Sequence, residues 1–503
     1  MATATYSLFC DFDNDGSFLT AGDDISADFI SATVDRGFSS PLARVTMVGR
    51  ATFVLNNASK SYSPPLQATR LPRRPVRFDM TVSGSTTTMF RGFIESIAPS
   101  GGIYRDRRAV LECVDAVSLL DVHEGPIALQ VSVTANTIIS AVVSAVYTPP
   151  GTSYQSGITV FPFSADRWSE TEEHGVGYEE ITASRKIEDV CISDWGRFFV
   201  SKSGCPTFYN RHQTPLDATT ELTLSNDMFD QSYHKSIQEV FNHAEVTSHP
   251  RVLGTANEVI GKLDQSTAPR IEASGASTLF VLPFRDPSDL YTPIGGASAI
   301  TPVASTDYTC TDDDPGAGTN VSASVSACMT AYADRAEVTL SNSASNTNPV
   351  FVQSLQVRGK AVRVRDPITM QYTSASSITA FQRRKLRLDA PLMSTEYDAY
   401  RLAEYLIDVH EVPLDTVQGV EIACNANASL LDKARTLELL DRVVVTETQT
   451  GLSSYAGFIY HMTHSIPDRY NHHLILDLET AHSIGSPFRL DISRLDSGHL
   501  LVY

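Results

Sequence analysis

Short runs of β-branched and aromatic residues, separated by polar turn formers, fill the first quarter of the chain. They include Tyr6–Cys10, Asp28–Val34 and Ala51–Leu55. Runs of this length and composition, bounded by Gly, Pro, Asn, Asp and Ser, are typical of β-strands. Residues 5–116 are therefore predicted to be a β-structure.

Part of this pattern recurs near the other end of the chain. Three successive runs, in each copy with Gly-Phe-Ile within the middle one, have counterparts: Arg74–Phe78, Arg91–Ile97 and Ala109–Ala116 in the first copy, and Asp441–Val445, Ala456–Met462 and Leu474–Ala481 in the second. The two Gly-Phe-Ile triplets, which begin at Gly92 and Gly457, are 365 residues apart. That spacing is far too long for a solenoid or propeller repeat. It predicts one small β-domain used twice.

The period of the apolar residues changes between the two copies. A helix is predicted from Thr134 to about Tyr147, with its apolar residues on one face, and a second from Glu179 to Asp194. A hairpin follows, with strands at Arg197–Ser201 and Thr207–Arg211. A last helix is predicted after Thr395, which forms a capping box with Asp398.

These patterns predict a mainly β chain with small α/β insertions, divided into four parts. The parts are 1–125, a first β-domain; 126–215, a helix–helix–hairpin insertion; 216–390, a β-rich domain; and 391–503, a capped helix, a second β-domain and a C-terminal tail. The third part contains a Ser/Thr-rich stretch, for which a disordered linker is one interpretation. The alternating residues Arg335–Leu340 favour the other, an exposed β-sandwich-like insertion at about 280–358.

Charge and composition narrow the function classes. The 39 basic and 58 acidic residues give a net charge of −19, which is unfavourable for nucleic-acid binding. The excess is compatible with simple solubility, or with a conduit whose wall repels DNA. No apolar run is long enough to span a membrane and no secretory signal is evident, so synthesis in a cytoplasm is expected. The seven cysteines lack metal-binding spacing, although Cys310 and Cys328 flank a loop and can approach each other.

One local motif suggests a metal ion. Three carboxylates occupy alternate positions, Asp11, Asp13 and Asp15, and Gly16 follows at the sixth position, as in the first half of a calcium loop. Gly22 stands where the bidentate acid of such a loop is expected, and Asp23 or Asp24 can substitute for it. A structural calcium ion is one interpretation. The other is an Asx-rich turn between strands, where Asp, Asn and Gly are common anyway.

Other candidate sites are weaker. His461, His464, His472 and His473 lie on adjacent predicted strands and can be read as zinc or iron ligands, or as polar residues near a strand end. Motifs of serine hydrolases, zinc proteases and P-loop enzymes are absent. The sequence therefore predicts no catalytic residues, and a protein that is not an enzyme.

Several weak motifs together resemble the tail-tip or baseplate hub proteins of tailed phages and prophages. The resemblance spans nearly the whole chain, and the segments that contribute are Asp11–Gly16 with Ala21–Asp24, Ala51–Asn57 before Tyr62-Ser63-Pro64, Arg74–Arg77, Arg91–Ile94 and Arg384–Leu392. It implies a homotrimer in which each chain contributes two related tube-like β-barrel domains. Three chains then present six near-equivalent faces to a hexameric tail tube.

The expected function is therefore that of a structural hub in a virion tail, assembled in the host cytoplasm. Its expected partners are copies of itself, the tail tube protein and other tail-tip or baseplate proteins, with DNA only passing through the channel and no stable membrane insertion. An adhesin that binds the host surface is one alternative, which the Ser/Thr-rich stretch suggests. A cell-wall hydrolase is the other alternative, from a different class.

Overall fold

A computed structural model gives the fold. It describes residues 3–101, 106–123, 129, 133–146, 153–154, 160–161, 181–211, 214, 219–264, 267–313 and 318–481. The predicted ends of two helices, Tyr147 and Glu179, and the predicted C-terminal tail after Ala481 lie outside these residues.

Six strands form the first β-unit, called module 1 below: β1 Thr5–Cys10, β2 Phe29–Gly37, β3 Arg50–Asn56, β4 Pro75–Val82, β5 Ser85–Pro99 and β6 Arg108–Val114. They pair in the order β1-β4-β5-β6-β3-β2. All neighbouring strands in this module are antiparallel. Alternate residues of the strands are buried, as in β3, and this period of two places one face of the sheet in the core.

A helical insertion follows module 1. Its elements are α1 Val117–Val122, β7 Val133–Thr134, α2 Ala135–Val146, β8 Ser153–Tyr154, β9 Val160–Phe161, α3 Ala183–Asp194, β10 Arg197–Val200 and β11 Pro206–Tyr209. The apolar face of α2 packs against α3 and against the hairpin β10–β11, so the insertion has a core of its own. Thr182 caps α3, because its side chain accepts a hydrogen bond from the backbone N–H of Arg185.

The chain then forms two strands, β12 Thr220–Ser225 and β13 Asp230–Lys235, before a long β-rich insertion begins. Its elements are β14 His243–Ser248, β15 Arg251–Leu253, β16 Glu258–Lys262, β17 Arg270–Ile271, β18 Ser277–Pro283, β19 Arg285–Asp286, β20 Asp289–Pro293, β21 Gly295–Ile300, β22 Tyr308–Thr311, β23 Val325–Ala331, β24 Arg335–Asn342, β25 Val350–Val364, β26 Ile368–Thr373, α4 Ala375–Phe381, β27 Lys385–Ala390 and α5 Glu396–His410. Five short strands pair with the long strand β25, and the sheet β18-β24-β23 shares their hydrophobic core. Helix α5 packs on the sheet β26-β14-β27.

The last elements are β28 Asp415–Ala423, α6 Ala428–Thr436, β29 Arg442–Glu447, β30 Leu452–Asp468 and β31 Asn471–Thr480. Together with β12 and β13 they form module 2, whose strands pair in the order β12-β29-β30-β31-β28-β13. Numbered by their order along the chain, the strands of both modules follow the same arrangement, 1-4-5-6-3-2. The one difference in direction is at the first strand, since β12 runs parallel to β29 whereas β1 runs antiparallel to β4.

The prediction of a mainly β chain with two related β-units is confirmed, but the expected barrels are not closed. In the described part of the chain, strand pairing joins the modules into one twelve-stranded sheet through β2 and β30, and neither group of six closes on itself. A single hydrophobic cluster runs through both modules and includes Phe53, Phe78, Ile459 and Leu476. The two copies therefore share a core.

Two further expectations concern cysteines and membranes. All seven cysteines are free thiols, so Cys310 and Cys328 do not form a disulfide bond. Cys310 is buried and Cys328 is exposed. Within the described helices, no stretch has the length and hydropathy that a membrane crossing requires.

Candidate assembly surface

The two modules correspond residue by residue. In module 1, Phe93 lies opposite Val114, and a β-bulge follows between Ile94 and Ser96. In module 2, Phe458 lies opposite Glu479, and the same bulge follows between Ile459 and His461. A bulge adds one unpaired residue to a strand and changes its twist, so its conservation at the same place supports a true structural repeat.

The two glycines of the repeated triplet occupy the same crowded position. A Cβ atom on Gly92 would lie 2.2 Å from the carbonyl oxygen of Val114, and one on Gly457 would lie 2.9 Å from that of Glu479. Only glycine lets the neighbouring backbone approach so closely. The triplet therefore indicates the close packing of β5 against β6 in module 1 and of β30 against β31 in module 2.

The modules meet in a joint between β2 and the outer end of β30. Six residue pairs form it, from Ala32 opposite Ile466 to Gly37 opposite His461. The backbone N–H of Phe38 extends it by donating to the carbonyl oxygen of Tyr460. Val34 and Phe38 are each only 1% exposed and belong to the core that the two modules share.

Polar contacts reinforce this joint at His461. Its Nε2 lies 3.1 Å from Asp35 Oδ1 of module 1, and its Nδ1 lies 3.4 Å from Asp477 Oδ2 of module 2. Hydrogen bonds to these two carboxylates raise the pKa of His461 to about 9. The same contact with His461 lowers the pKa of Asp35. The imidazolium ring therefore links the modules at neutral pH.

A second chain of contacts crosses the joint inside the core. The Tyr6 hydroxyl lies 3.0 Å from His472 Nδ1, and His472 Nε2 lies 3.0 Å from His464 Nδ1. Burial lowers the pKa of His472 to about 3, and burial together with His472 lowers that of His464 well below its usual value. Both rings are therefore neutral at physiological pH.

The four histidines of the predicted metal site have different partners. His464 and His472 touch each other, but His461 pairs with acids, and His473 Nδ1 lies 3.0 Å from Glu421 Oε1. Among the described residues, the four histidines do not converge on one point that a zinc or iron ion would occupy.

The helical insertion supports the joint from one side. Arg36 of β2 donates to Glu438 Oε1 at 2.7 Å, and the backbone N–H of Lys202 donates to Glu438 Oε2 at 2.8 Å. Burial alone would raise the pKa of Glu438, but Arg36 and Lys202 hold it below its usual value. The Lys202 ammonium also donates to carbonyl groups at the end of α6, at Arg435, Thr436 and Leu437.

Two edges of the kind that form the in-chain joint, one in each module, have no described strand beside them. The first is β13, which pairs with β28 on one side and with no described strand on the other. His234 is paired with Thr416 in module 2, and Asp35 is paired with Arg50 in module 1. Aligning these two pairs places Tyr233 at the position of Val34 and Ile237 at the position of Phe38. Tyr233 is 39% exposed and Ile237 is 46% exposed, in contrast to their buried counterparts.

The second unused edge is the outer end of β5. Beyond Ile94, which bonds to Arg74, no described strand pairs with β5 on the side that β4 occupies. This segment, Ser96–Pro99, corresponds to the part of β30 that receives β2. Thus β13 and the outer end of β5 are counterparts of β2 and the outer end of β30, the two edges that meet within the chain.

The predicted calcium ligands lie together in the loop between β1 and β2. Ligand atoms of Asp11, Asp13 and Asp15 are all within 4.8 Å of one another. The Asp11 carboxylate accepts hydrogen bonds from the N–H groups of Asp15 and Gly16. Burial, followed by the charges of the three acids, raises the pKa of Asp23, so Asp23 lies near them. The geometry is compatible with a cation and with an Asx-rich turn, and the calcium ion stays a prediction.

Sequence reasoning missed the residues of the joint. Asp35 and His461 are 426 positions apart, and neither belongs to a recognisable motif. The available signal was the repeat itself, because its offset of 365 residues aligns Ser96–Pro99 with His461–His464, the segment that receives β2.

No family model matches the chain, and no curated protein is significantly similar to it in sequence. Solved structures with a similar fold include the 43 kDa tail protein of prophage MuSo2 from Shewanella oneidensis, with 10% identity and a TM-score of 0.48 over 95% of this chain and 98% of that one. A tail protein from Neisseria meningitidis MC58 has 8% identity and a TM-score of 0.49 over 95% and 96% of the two chains.

A third similar structure is the E. coli c3393 protein, a component of the type VI secretion system that is structurally similar to the T4 bacteriophage tail proteins gp27 and gp5. It has 13% identity and a TM-score of 0.29 over 65% of this chain and 73% of that one. All three TM-scores are below 0.5.

Proposed function

We propose that the protein is a structural hub of a phage-type tail, in which copies join edge to edge into a closed ring of three chains. The observation that carries this proposal is the pair of unused edges, β13 and the outer end of β5. They correspond to β2 and the outer end of β30, which form the joint inside the chain.

The burial pattern supports a second joint of the same kind. Tyr233 and Ile237 lie at the positions of Val34 and Phe38, which are buried beside β30, yet they are exposed in the single chain. Apolar side chains beside an unpaired strand are typical of a surface that another chain completes. The outer end of β5 in a neighbouring copy has the matching shape, because it carries the same bulge as β30.

Such a contact is head-to-tail, since each copy uses a different edge on either side. Head-to-tail contacts form closed rings when the rotation between copies allows closure. Three copies would give six modules in alternation, joined by three in-chain and three inter-chain joints. A ring of this kind would present a hexameric tail tube with six similar faces while keeping three-fold symmetry below.

The charges at the proposed joint are complementary, with the roles exchanged. His234 lies where Asp35 does, and Ser96 and Glu112 lie where His461 and Asp477 do. Ser96 Oγ already donates to Glu112 Oε2 at 2.7 Å. The incoming strand would thus bring a histidine to an acid, instead of an acid to a histidine.

Pro99 limits the length of this joint. It corresponds to His464 and has no backbone N–H, so it cannot extend the ladder on its own edge. Proline at an exposed edge is a common protection against unspecific strand pairing. We expect a short, specific joint between copies.

The further parts of the proposal follow from the ring. Its opening would form part of the channel through which DNA passes, and the net charge of −19 would keep DNA from adhering to the wall. The tail tube protein would stack on the six modules, and the insertions would contact other tail-tip or baseplate proteins. The protein would then belong to the virion tail.

Native mass measurement tests the ring directly. The expected result is a species of three chains, which associates with the tail tube protein. Tyr233→Lys and Ile237→Lys should yield monomers with unchanged circular dichroism, because a charge would then face an apolar joint.

Tyr291→Lys is the matched control, since Tyr291 is also an exposed aromatic residue but lies on β20 in the β-rich insertion. Wild-type protein that stays monomeric or dimeric at high concentration would contradict the proposal. So would a trimer that both substitutions in and after β13 leave intact.

A further inference from the structure

A cavity of about 310 Å³ lies where four parts of the chain meet. The loop after β2 contributes Arg44, the segment between α3 and β10 contributes Trp195, helix α5 contributes Tyr405, and module 2 contributes Phe458. Its volume is at the lower end of the range for small-molecule sites.

The first notable group in its lining is Arg197, which is 8% exposed. Its Nη2 donates to Glu479 Oε2 at 2.6 Å and to the carbonyl oxygen of Pro41 at 2.9 Å. Its Nη1 is buried and has no hydrogen-bond partner. A buried N–H donor without an acceptor is costly, and it is a natural contact for a ligand oxygen.

The second group is Arg44, whose positive charge no carboxylate balances directly. Its hydrogen bonds all go to backbone carbonyl groups, those of Pro41, Leu42 and Trp195. Its guanidinium carbon lies 4.2 Å from the centre of the Trp195 ring. Burial and the charge of Arg197 lower the pKa of Arg44 to about 9, so Arg44 is still cationic at neutral pH.

The acids of the lining do not cancel these charges. Glu479 is already paired with Arg197, and Glu239 accepts a hydrogen bond from Thr416. Arg44 is therefore left without an ion pair to either acid of the lining.

The remaining wall is apolar and partly strained. Trp195, Tyr405, Val409 and Leu414 line it with rings and branched chains. Trp195 ends α3 with a φ of 58°, a left-handed conformation that bulky residues rarely adopt. Strain of this kind concentrates at ligand sites, because the surrounding structure maintains it there.

We propose that this cavity binds a small monocarboxylate with an apolar body. The carboxylate would accept hydrogen bonds from Arg197 Nη1 and from Arg44, and the apolar body would lie against Trp195 and Leu414. A ligand held in this way contacts the loop after β2, the segment around Trp195 and the connection between α5 and β28, and therefore stabilises their packing. The proposal does not depend on ring formation, since all of its residues belong to one chain.

Benzoate and its neutral analogue benzamide are suitable probes for isothermal titration and thermal unfolding of the full chain. Benzoate should bind and raise the unfolding temperature, whereas benzamide should do neither. Arg44→Gln should weaken benzoate binding at least about tenfold, because a hydrogen bond to a charged group is lost. Arg185→Gln, which removes an exposed arginine of α3, should leave binding unchanged.

Leu414→Trp serves as a second test, because it fills the cavity without touching a charge. It should abolish benzoate binding even if Arg44→Gln disturbs folding. Equal binding of benzamide and benzoate would overturn the proposal, as would an unchanged benzoate affinity in both cavity variants. Failure of benzoate to bind the wild-type protein at millimolar concentration would also overturn it.

Discussion

His461 of module 2 lies 3.1 Å from Asp35 of module 1, across the joint that makes one sheet of two modules. A Cβ atom on Gly37, opposite His461 in the ladder, would lie 2.5 Å from the Cα atom of His461. The backbones are therefore in close contact at the point where the charges meet. Changes at His461 report on the joint rather than on either module alone.

The first prediction concerns pH. The pKa of His461 is about 9 in the folded protein and about 6.5 in an unfolded chain. The proton is therefore held more tightly in the folded state, so its stabilising effect is complete below pH 6.5 and disappears as the pH rises through 9. His461→Gln should lower the free energy of unfolding by about 1–2 kcal/mol at pH 6.5 and by much less at pH 9.5. Urea unfolding of both proteins at several pH values measures this, and a difference independent of pH would contradict it.

The second prediction concerns the buried contact between Tyr6 and His472. Tyr6→Phe leaves His472 Nδ1 without its partner inside the core. The free energy of unfolding should fall by about 1–3 kcal/mol, the cost of an unsatisfied buried polar group. Tyr470→Phe is the control, because Tyr470 is an exposed tyrosine in the turn after β30. Equal stability of the two variants would show that the buried contact contributes nothing.

How far the sequence predicted this fold depends on the distance over which each signal acts. The repeat at Gly92 and Gly457 could be predicted from the sequence, because a close backbone approach requires glycine in both copies. The helix cap at Thr395 could be predicted because it depends on Asp398, only three residues away. Signals contained within one strand or one turn survive in a single sequence.

The joint could not be predicted, because β2 and β30 pair across more than 420 residues and neither strand contains a local signal that identifies its partner. The closed barrels were wrongly expected for a related reason. Whether a sheet closes depends on the pairing of its outermost strands, and β2, an outermost strand of module 1, pairs with the outer end of β30 instead of with β1. Arg44 and Arg197 likewise become neighbours only because the loop after β2 pairs with β10 of the helical insertion.

The third prediction compares the two glycines of the repeat. Gly92→Ala should be more destabilising than Gly457→Ala, because its Cβ atom would lie 2.2 Å rather than 2.9 Å from a carbonyl oxygen. We expect losses of about 3 and about 1 kcal/mol in the free energy of unfolding. Gly101→Ala, where nothing lies within 4 Å, should have little effect. The reverse order of Gly92→Ala and Gly457→Ala would mean that the fifth strands pack differently.

The fourth prediction tests the acidic loop. If Asp11, Asp13 and Asp15 hold a calcium ion, millimolar calcium chloride should raise the unfolding temperature of the wild-type protein by a few degrees. Asp13→Asn should remove most of this increase. Asp264→Asn, which changes an exposed acid in the β-rich insertion, should keep it. An unfolding temperature that calcium leaves unchanged would support the Asx-rich turn instead.

The fifth prediction tests the exchanged charges at the proposed joint between copies. His234→Glu should weaken the trimer about tenfold, because a carboxylate would then face Glu112 of the next copy. Glu112→His should have a similar effect. The double variant restores an opposite pair and should assemble better than either single variant. Dissociation constants from analytical ultracentrifugation give the coupling, and strictly additive effects would argue against contact between these residues.

The position of the long insertion determines what such an assembly looks like from outside. It interrupts module 2 between its second and third strands, whereas the same place in module 1 holds only the short connection from β2 to β3. Every second module around the ring would therefore carry the long insertion, and the modules between would lack it. One polypeptide would thus supply six similar modules for stacking and three evenly spaced insertions for attachment at the periphery.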